Sequence, residues 1–209
     1  MRHSRAVAEV AAWLARRIAE RQPLDRGLAE TAALLHDVDK AMPRRSRPDG
    51  LGHGAAGGAW LAGHGHPELL EVVALHPVTR LAEPDGWVAL ERASLEARIV
   101  AYADKRAQQR LVSMAARFAR WDQRHPHGWT KAVRAEVWSR ARMLEDEVCD
   151  AASCAPEDVG RLAWTGAAFT AEASAAVRAA AASAAGRAAA TSGPEGRDSA
   201  RLRSGRDAA

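Results

Sequence analysis

An all-α fold is predicted by three observations on this 209-residue chain. Apolar residues recur at three- and four-residue steps along most of it, no segment requires the two-residue alternation of a strand, and proline, glycine and aspartate interrupt the periodic stretches at helix-length intervals. Val7, Val10, Leu14 and Ile18 form one stripe over residues 4–21, and Pro23 ends that first helix. Asp25 is placed to cap a second helix running through Leu28, Ala32 and Leu35 toward His36. Residues 42–52 read as an exposed loop, with Pro43, Pro48 and Asp49-Gly50 as its breakers. A third helix is expected over 53–62, where glycines imply tight packing or a ligand close to the backbone.

His64-Gly65-His66-Pro67 is a turn, and a fourth helix follows over 68–76 until Pro77 stops it. Residues 79–87 are expected to be a loop around a Pro84-Asp85-Gly86 turn. Two long helices then cover 94–121 and 129–148, and Ala155-Pro156-Glu157-Asp158 looks like a further helix start. Leu162-Ala163-Trp164 is positioned to fold back on the core. The expected organisation is a domain over 1–150, a helical appendage packing on it over 151–170, and an Ala-rich, low-complexity, largely disordered tail over 171–209.

Composition narrows the function classes. Hydrophobic residues make up 47% of the chain, which suits a soluble globular domain. No stretch approaches the roughly 20 apolar residues of a membrane span, so no membrane partner is expected. Glu9 interrupts the first apolar run before a signal-peptide core could be completed. Cys149 and Cys154 are too few for a disulfide framework and lack partners for a zinc site, which points to a cytoplasmic setting. The net charge of +4 rests on 27 Arg and 3 Lys scattered among alanines, with no basic stripe interleaved with aromatics. Nucleic-acid binding is therefore not the expected role.

The candidate chemistry lies in Leu34-Leu35-His36-Asp37-Val38-Asp39-Lys40, where apolar residues lead into two adjacent metal-ligand side chains. His3 shares the spacing of Val7, Val10 and Leu14, so it would point into the core. Asp104 lies on a face with Val100, Ala107 and Leu111, where an unpaired carboxylate would be costly and a cation would remove the cost. His76 follows Leu69, Val72 and Val73 at helical spacing, and His53 precedes Ala56 and Trp60. Asp39 is read as a cap of the following turn. His64, His66, His125 and His127 are read as turn and loop residues, and the tryptophans as core or groove walls.

The order His3, His36-Asp37, Asp104 resembles the His…His-Asp…Asp pattern of the HD superfamily of metal-dependent phosphohydrolases, over roughly residues 1–125. Leu34 to Lys40 is similar to its Leu-Leu-His-Asp-Ile-Gly-Lys signature. The segments Leu51-Gly52-His53-Gly54 and Val73-Ala74-Leu75-His76 resemble those supplying two extra histidines in binuclear members. The spacing is particularly similar to bacterial HD-type hydrolases of diadenosine tetraphosphate.

The resemblance implies an HD-domain helical bundle. It implies metal ligation by His3, His36, Asp37, His53, His76 and Asp104, with Asp37 bridging two ions. Imidazole with carboxylate suits iron, manganese or another transition metal, one or two ions per chain. Two ions roughly 3.5 to 4 Å apart can generate a bound hydroxide for attack on phosphorus. Asp37 and Lys40 are the implied catalytic residues, with Lys40 and Arg80 contacting substrate phosphate. The expected partner is a nucleotide or other phosphorylated small molecule, and a homo-oligomer is compatible with this reading. The alternative is a catalytically weak HD-domain protein acting as a metal- and nucleotide-binding regulatory module. Two features depart from the pattern: Asp39 stands where a small residue is usual, and Tyr102-Ala103-Asp104-Lys105-Arg106 differs from the dinucleotide hydrolases.

Overall fold

The computed structural model describes residues 2–43, 46–108 and 111–161. Eleven helices are found among them: α1 Arg2–Ala19, α2 Arg26–Leu35, α3 Val38–Ala41, α4 Ala55–Gly63, α5 Leu69–Ala74, α6 Thr79–Ala82, α7 Pro84–Arg92, α8 Leu95–Arg106, α9 Met114–Arg124, α10 Lys131–Ala152 and α11 Pro156–Val159. No strand occurs among the described residues, only an isolated bridge between Ala107 and Leu111. None of the described helices is long and apolar enough to cross a membrane. The expected tail over 171–209 and the Leu162-Ala163-Trp164 segment lie outside the described residues.

The stripe read from the sequence is the inner face of α1, with Val7, Val10, Leu14 and Ile18 fully buried. It packs against α2, α8 and α10. At about 1.5–3 kcal/mol for each fully buried Val, Leu or Ile, these four side chains are a principal source of cohesion. Helix α8 is central: it touches α1, α2, α5, α7, α9 and α10, and every residue from Ile99 to Arg106 is buried. Asp25 caps α2 as expected, its Oδ1 accepting from the Leu28 N–H at 2.8 Å. The glycines of α4 serve packing: a Cβ on Gly58 would lie 2.4 Å from the Leu70 carbonyl oxygen, so only glycine lets α4 approach α5.

Two expected elements are corrected. Residues 79–87 fall in two helices, α6 and α7, parted by the extended Glu83, and Pro84 occupies the first turn of α7 after Glu83 at its N-cap position, a place that suits proline. Gly86 is a close-approach residue, since a Cβ there would sit 2.9 Å from the Arg80 carbonyl oxygen. The single helix expected over 94–121 breaks after Arg106. Ala107 turns extended (φ −127°, ψ 143°), and Ser113 caps a new helix, its Oγ accepting from the Ala116 N–H at 3.2 Å. The break is invisible to periodicity because Ala107 and Leu111 keep the apolar spacing across it.

A buried polar network ties the C-terminal elements to α8. Arg106 donates to Glu145 at 2.9 Å and to the Pro156 carbonyl at 2.8 Å. The Tyr102 hydroxyl donates to the same Glu145 oxygen at 2.9 Å and itself accepts from Arg106. The start of the expected appendage, α11, is thus anchored to the core through one guanidinium.

Candidate metal centre

The helix ends that surround α8 deliver the candidate ligands. His3 lies in the first turn of α1, His36 is the C-cap residue of α2, and Asp37 precedes α3. His53 lies just before α4, His76 just after α5, and Asp104 in the last turn of α8. A residue at a helix end can be buried while its backbone still turns, which is how five separate segments reach one point.

Two groups result, each with its ligand atoms all within 4.8 Å of one another: His3, His36 and Asp37, and Asp37, His53 and His76. Asp37 belongs to both. Its Oδ1 lies 3.5 Å from His36 Nε2, 3.4 Å from His53 Nε2 and 3.7 Å from His76 Nε2. Its Oδ2 is 3.8 Å from His3 Nε2. Asp104 adjoins the first group, with Oδ1 3.1 Å from His3 Nε2 and 3.7 Å from His36 Nε2. All six residues expected as ligands are therefore brought together.

Each imidazole is held by its outer nitrogen. His3 Nδ1 donates to the Gln108 carbonyl at 2.9 Å, His36 Nδ1 to Ala33 at 2.8 Å, and His76 Nδ1 to Val73 at 2.6 Å. His53 Nδ1 donates instead to the Asp39 carboxylate, at 2.9 and 3.1 Å from its two oxygens. These acceptors select the tautomer whose Nε2 lone pair faces inward, the arrangement second-shell partners impose on metal-binding histidines. The break after α8 has its purpose here: outside a helix, the Gln108 carbonyl is free to accept from His3.

The donor set fits a cation. His3 Nε2 and His36 Nε2 stand 3.2 Å apart, and His53 Nε2 and His76 Nε2 3.1 Å apart. Two nitrogens bonded at about 2.1 Å to one ion would stand about 3.0–3.4 Å apart for octahedral to tetrahedral angles. Facing lone pairs at that distance repel unless a positive charge lies near them. Asp37 Oδ1 is buried and has no partner in hydrogen-bond geometry, although the Lys40 ammonium lies 2.7 Å away.

The electrostatics agree. Burial opposes ionisation of Asp37, yet the adjoining His76 and His36 rings and the Lys40 ammonium hold its carboxyl well below the usual range. Burial likewise opposes charge on Asp104, but His3, Lys105 and Arg117 outweigh it and keep the carboxyl ionised. Burial, helped by His76, pushes His36 down to about 4, and the same two causes lower His53. Burial also disfavours charge on His3, but the adjoining Asp104 carboxylate prevails and raises its pKa. Ionised Asp37 and Asp104 beside His36 and His53 held toward the neutral form suit metal ligation.

The cations around the centre are partly those expected. Lys40 is the most exposed residue at the site, with 58% of its side chain accessible, and it pairs with Asp37. Arg80 is paired with Glu83 at 2.9 Å. Arg117, which sequence reasoning missed, donates to Asp104 Oδ1 at 3.3 Å from α9. Its approach depends on the turn between α8 and α9, and no spacing in the sequence signals it. Arg106 turns away from the cluster as expected, whereas Lys105 does not: its ammonium lies 3.8 Å from Asp104 Oδ2 and donates to the His76 carbonyl. His64 ends α4 with its Nδ1 on the Trp60 carbonyl, and His66 pairs with Glu68, as turn residues would.

Asp39 corrects an expectation. It caps nothing: it lies inside α3, is 3% exposed, and its carboxylate receives His53. Its departure from the family signature was the available signal, since a charged residue at a buried position needs a partner.

No curated protein and no solved structure matches the chain. The family model for the HD domain matches residues 1–108. That span contains His3, His36, Asp37, His53, His76 and Asp104, the residues whose side chains converge. The chain belongs to the HD domain family, a superfamily of metal-dependent phosphohydrolases.

Proposed function

We propose that this protein is a metal-dependent phosphohydrolase that cleaves a phosphoester or phosphoanhydride bond in a nucleotide-like substrate. The observation that carries this reading is Asp37, whose buried Oδ1 faces three imidazole nitrogens and the Lys40 ammonium within 3.7 Å. His3, His36, Asp37 and Asp104 would hold one divalent ion, and Asp37, His53 and His76 a second. Bound iron, manganese or a similar ion supplies Lewis acidity toward phosphoryl oxygens and lowers the pKa of water.

The chain's own residues supply the rest. The carbonyls of Ala33, Val73 and Gln108 fix the ring orientations before substrate arrives, so no reorganisation is needed on binding. His36 and His76 are buried while His53 and Lys40 are exposed, so substrate approaches from the His53 and Lys40 side. Lys40 releases Asp37 and contacts a phosphate oxygen, a charge-assisted bond that a nearby dianion favours. Arg117, with its guanidinium already at the centre, is the second candidate for phosphate contact. Arg80 would first have to leave Glu83.

The test uses purified protein reconstituted with manganese, iron or cobalt and a panel of nucleotides and dinucleoside polyphosphates. Release of phosphate or of a nucleoside monophosphate, lost in a folded Asp37→Ala variant, is the expected result. Nucleotide-dependent thermal stabilisation without product would favour the regulatory, catalytically weak reading. If elemental analysis found no bound metal, both would fall.

A further inference from the structure

The two halves of the centre differ in charge, and Asp39 offsets the difference. Beside the shared Asp37, the first half has its own carboxylate, Asp104, in contact with His3 and His36. The second half has only His53 and His76, both neutral ligands when bound. Two imidazoles and a half-share of one carboxylate make a weak site for a divalent cation. The missing charge lies one bond further out, on Asp39, whose oxygens are 2.9 and 3.1 Å from His53 Nδ1.

That contact is built into the fold. Asp39 is 3% exposed on the short helix α3, directly after Asp37 and Val38. Helix α4 lies close beside it at Gly57, where a Cβ would stand 3.2 Å from Val38 Cγ1 and 3.7 Å from Asp39 Cβ. Through Nδ1, His3, His36 and His76 donate to neutral backbone carbonyls, and among these four ligands His53 alone donates from Nδ1 to an anion. An anionic acceptor draws the Nδ1 proton outward and raises electron density at Nε2, making His53 a stronger donor. His53 is also the ligand with the greatest need of such support. Its side chain is 36% accessible and it lies outside any helix, so little else fixes its ring.

We infer that Asp39 is a positioning residue that secures the second metal ion, through a carboxylate–imidazole pair with His53. The inference rests on the proposed metal centre and goes beyond it: the extra aspartate makes this chain a two-ion protein under conditions where His53 and His76 alone would hold the second ion weakly.

The test is metal stoichiometry and affinity, measured on the full chain titrated with manganese. Wild type should bind two ions in separable steps, and Asp39→Asn should retain the first step while the second weakens by about 10- to 100-fold. Asparagine keeps an acceptor toward His53 but removes the charge, and the retained first step shows that the fold is intact. Asp39→Glu, which keeps the charge, should recover part of the second step. If Asp39→Asn lost both steps, failure of Asp39→Glu to restore a second ion would overturn the inference. Wild-type affinity for both ions in Asp39→Asn would overturn it directly. A single ion in wild type would also overturn it while leaving the metal centre standing, whereas no metal in wild type would remove the centre itself.

Discussion

Lys105 Nζ donates to the carbonyl of His76 at 2.7 Å from within the helix that carries Asp104. It also bonds the Ala101 carbonyl at 2.9 Å and lies 3.8 Å from Asp104 Oδ2, with 1% of its side chain exposed. One ammonium thus links the α8 side of the centre to the segment after α5. Replacing it with methionine keeps the packing volume but leaves the His76 carbonyl without this donor and Asp104 without a neighbouring charge. Lys105→Met is expected to lose about 1–3 kcal/mol of stability, the cost of stranding such a buried group. Urea denaturation of the metal-free protein measures it, and an unchanged midpoint would count against the link.

Lys40 should separate metal binding from turnover. Its ammonium is exposed and pairs with Asp37, while the imidazoles are held by other groups, so Lys40→Ala leaves them anchored. Metal stoichiometry should be unchanged while kcat/KM falls by about 10- to 100-fold, the equivalent of one charge-assisted contact. A loss of metal in this variant would show that Lys40 holds Asp37 in place instead.

The centre should respond to acid through His36. Its pKa falls from 6.5 to about 4, chiefly by burial, so the unfolded chain takes up this proton first. A depressed histidine makes stability fall as pH drops from near 6.5 toward 4, because there the unfolded state binds more protons. Between pH 7 and 5 this one group should remove about 1–2 kcal/mol from the metal-free protein. His3, whose pKa is raised, acts in the opposite direction, so the comparison needed is wild type against His36→Gln at both pH values. An equal pH dependence in the two proteins would refute the assignment.

Arg106 joins α8, α10 and α11 through Tyr102, Glu145 and Pro156. Arg106→Met strands a mostly buried carboxylate and should destabilise the protein by about 3 kcal/mol. Since Glu145 keeps its bond from Tyr102, the double variant Arg106→Met/Glu145→Gln should recover part of that loss. A thermal melt of the three proteins decides it.

Gly58→Ala places a methyl 2.4 Å from the Leu70 carbonyl oxygen, backbone that cannot rotate away. Helix propensity favours alanine by about 1 kcal/mol, so a net destabilisation would show that the approach of α4 to α5 decides this position. Greater stability in the variant would mean the helices separate freely.

The sequence by itself determined the helical class, the inner stripe of α1, the Asp25 cap and the five residues that gather around Asp37. Those features are local or periodic: spacing sets which face of a helix a residue occupies, and His36-Asp37 are neighbours in the chain. Tertiary structure alone decided the break after Arg106, the helices over 79–92, the arrival of Arg117 at Asp104 and the role of Asp39. Each depends on a partner distant in sequence: Gln108 turns out of α8 toward His3, and Asp39 looks like a cap until His53 is folded onto it. Periodicity records which side chains face inward. It carries no record of which inward-facing groups meet, because that depends on the distances between helix ends.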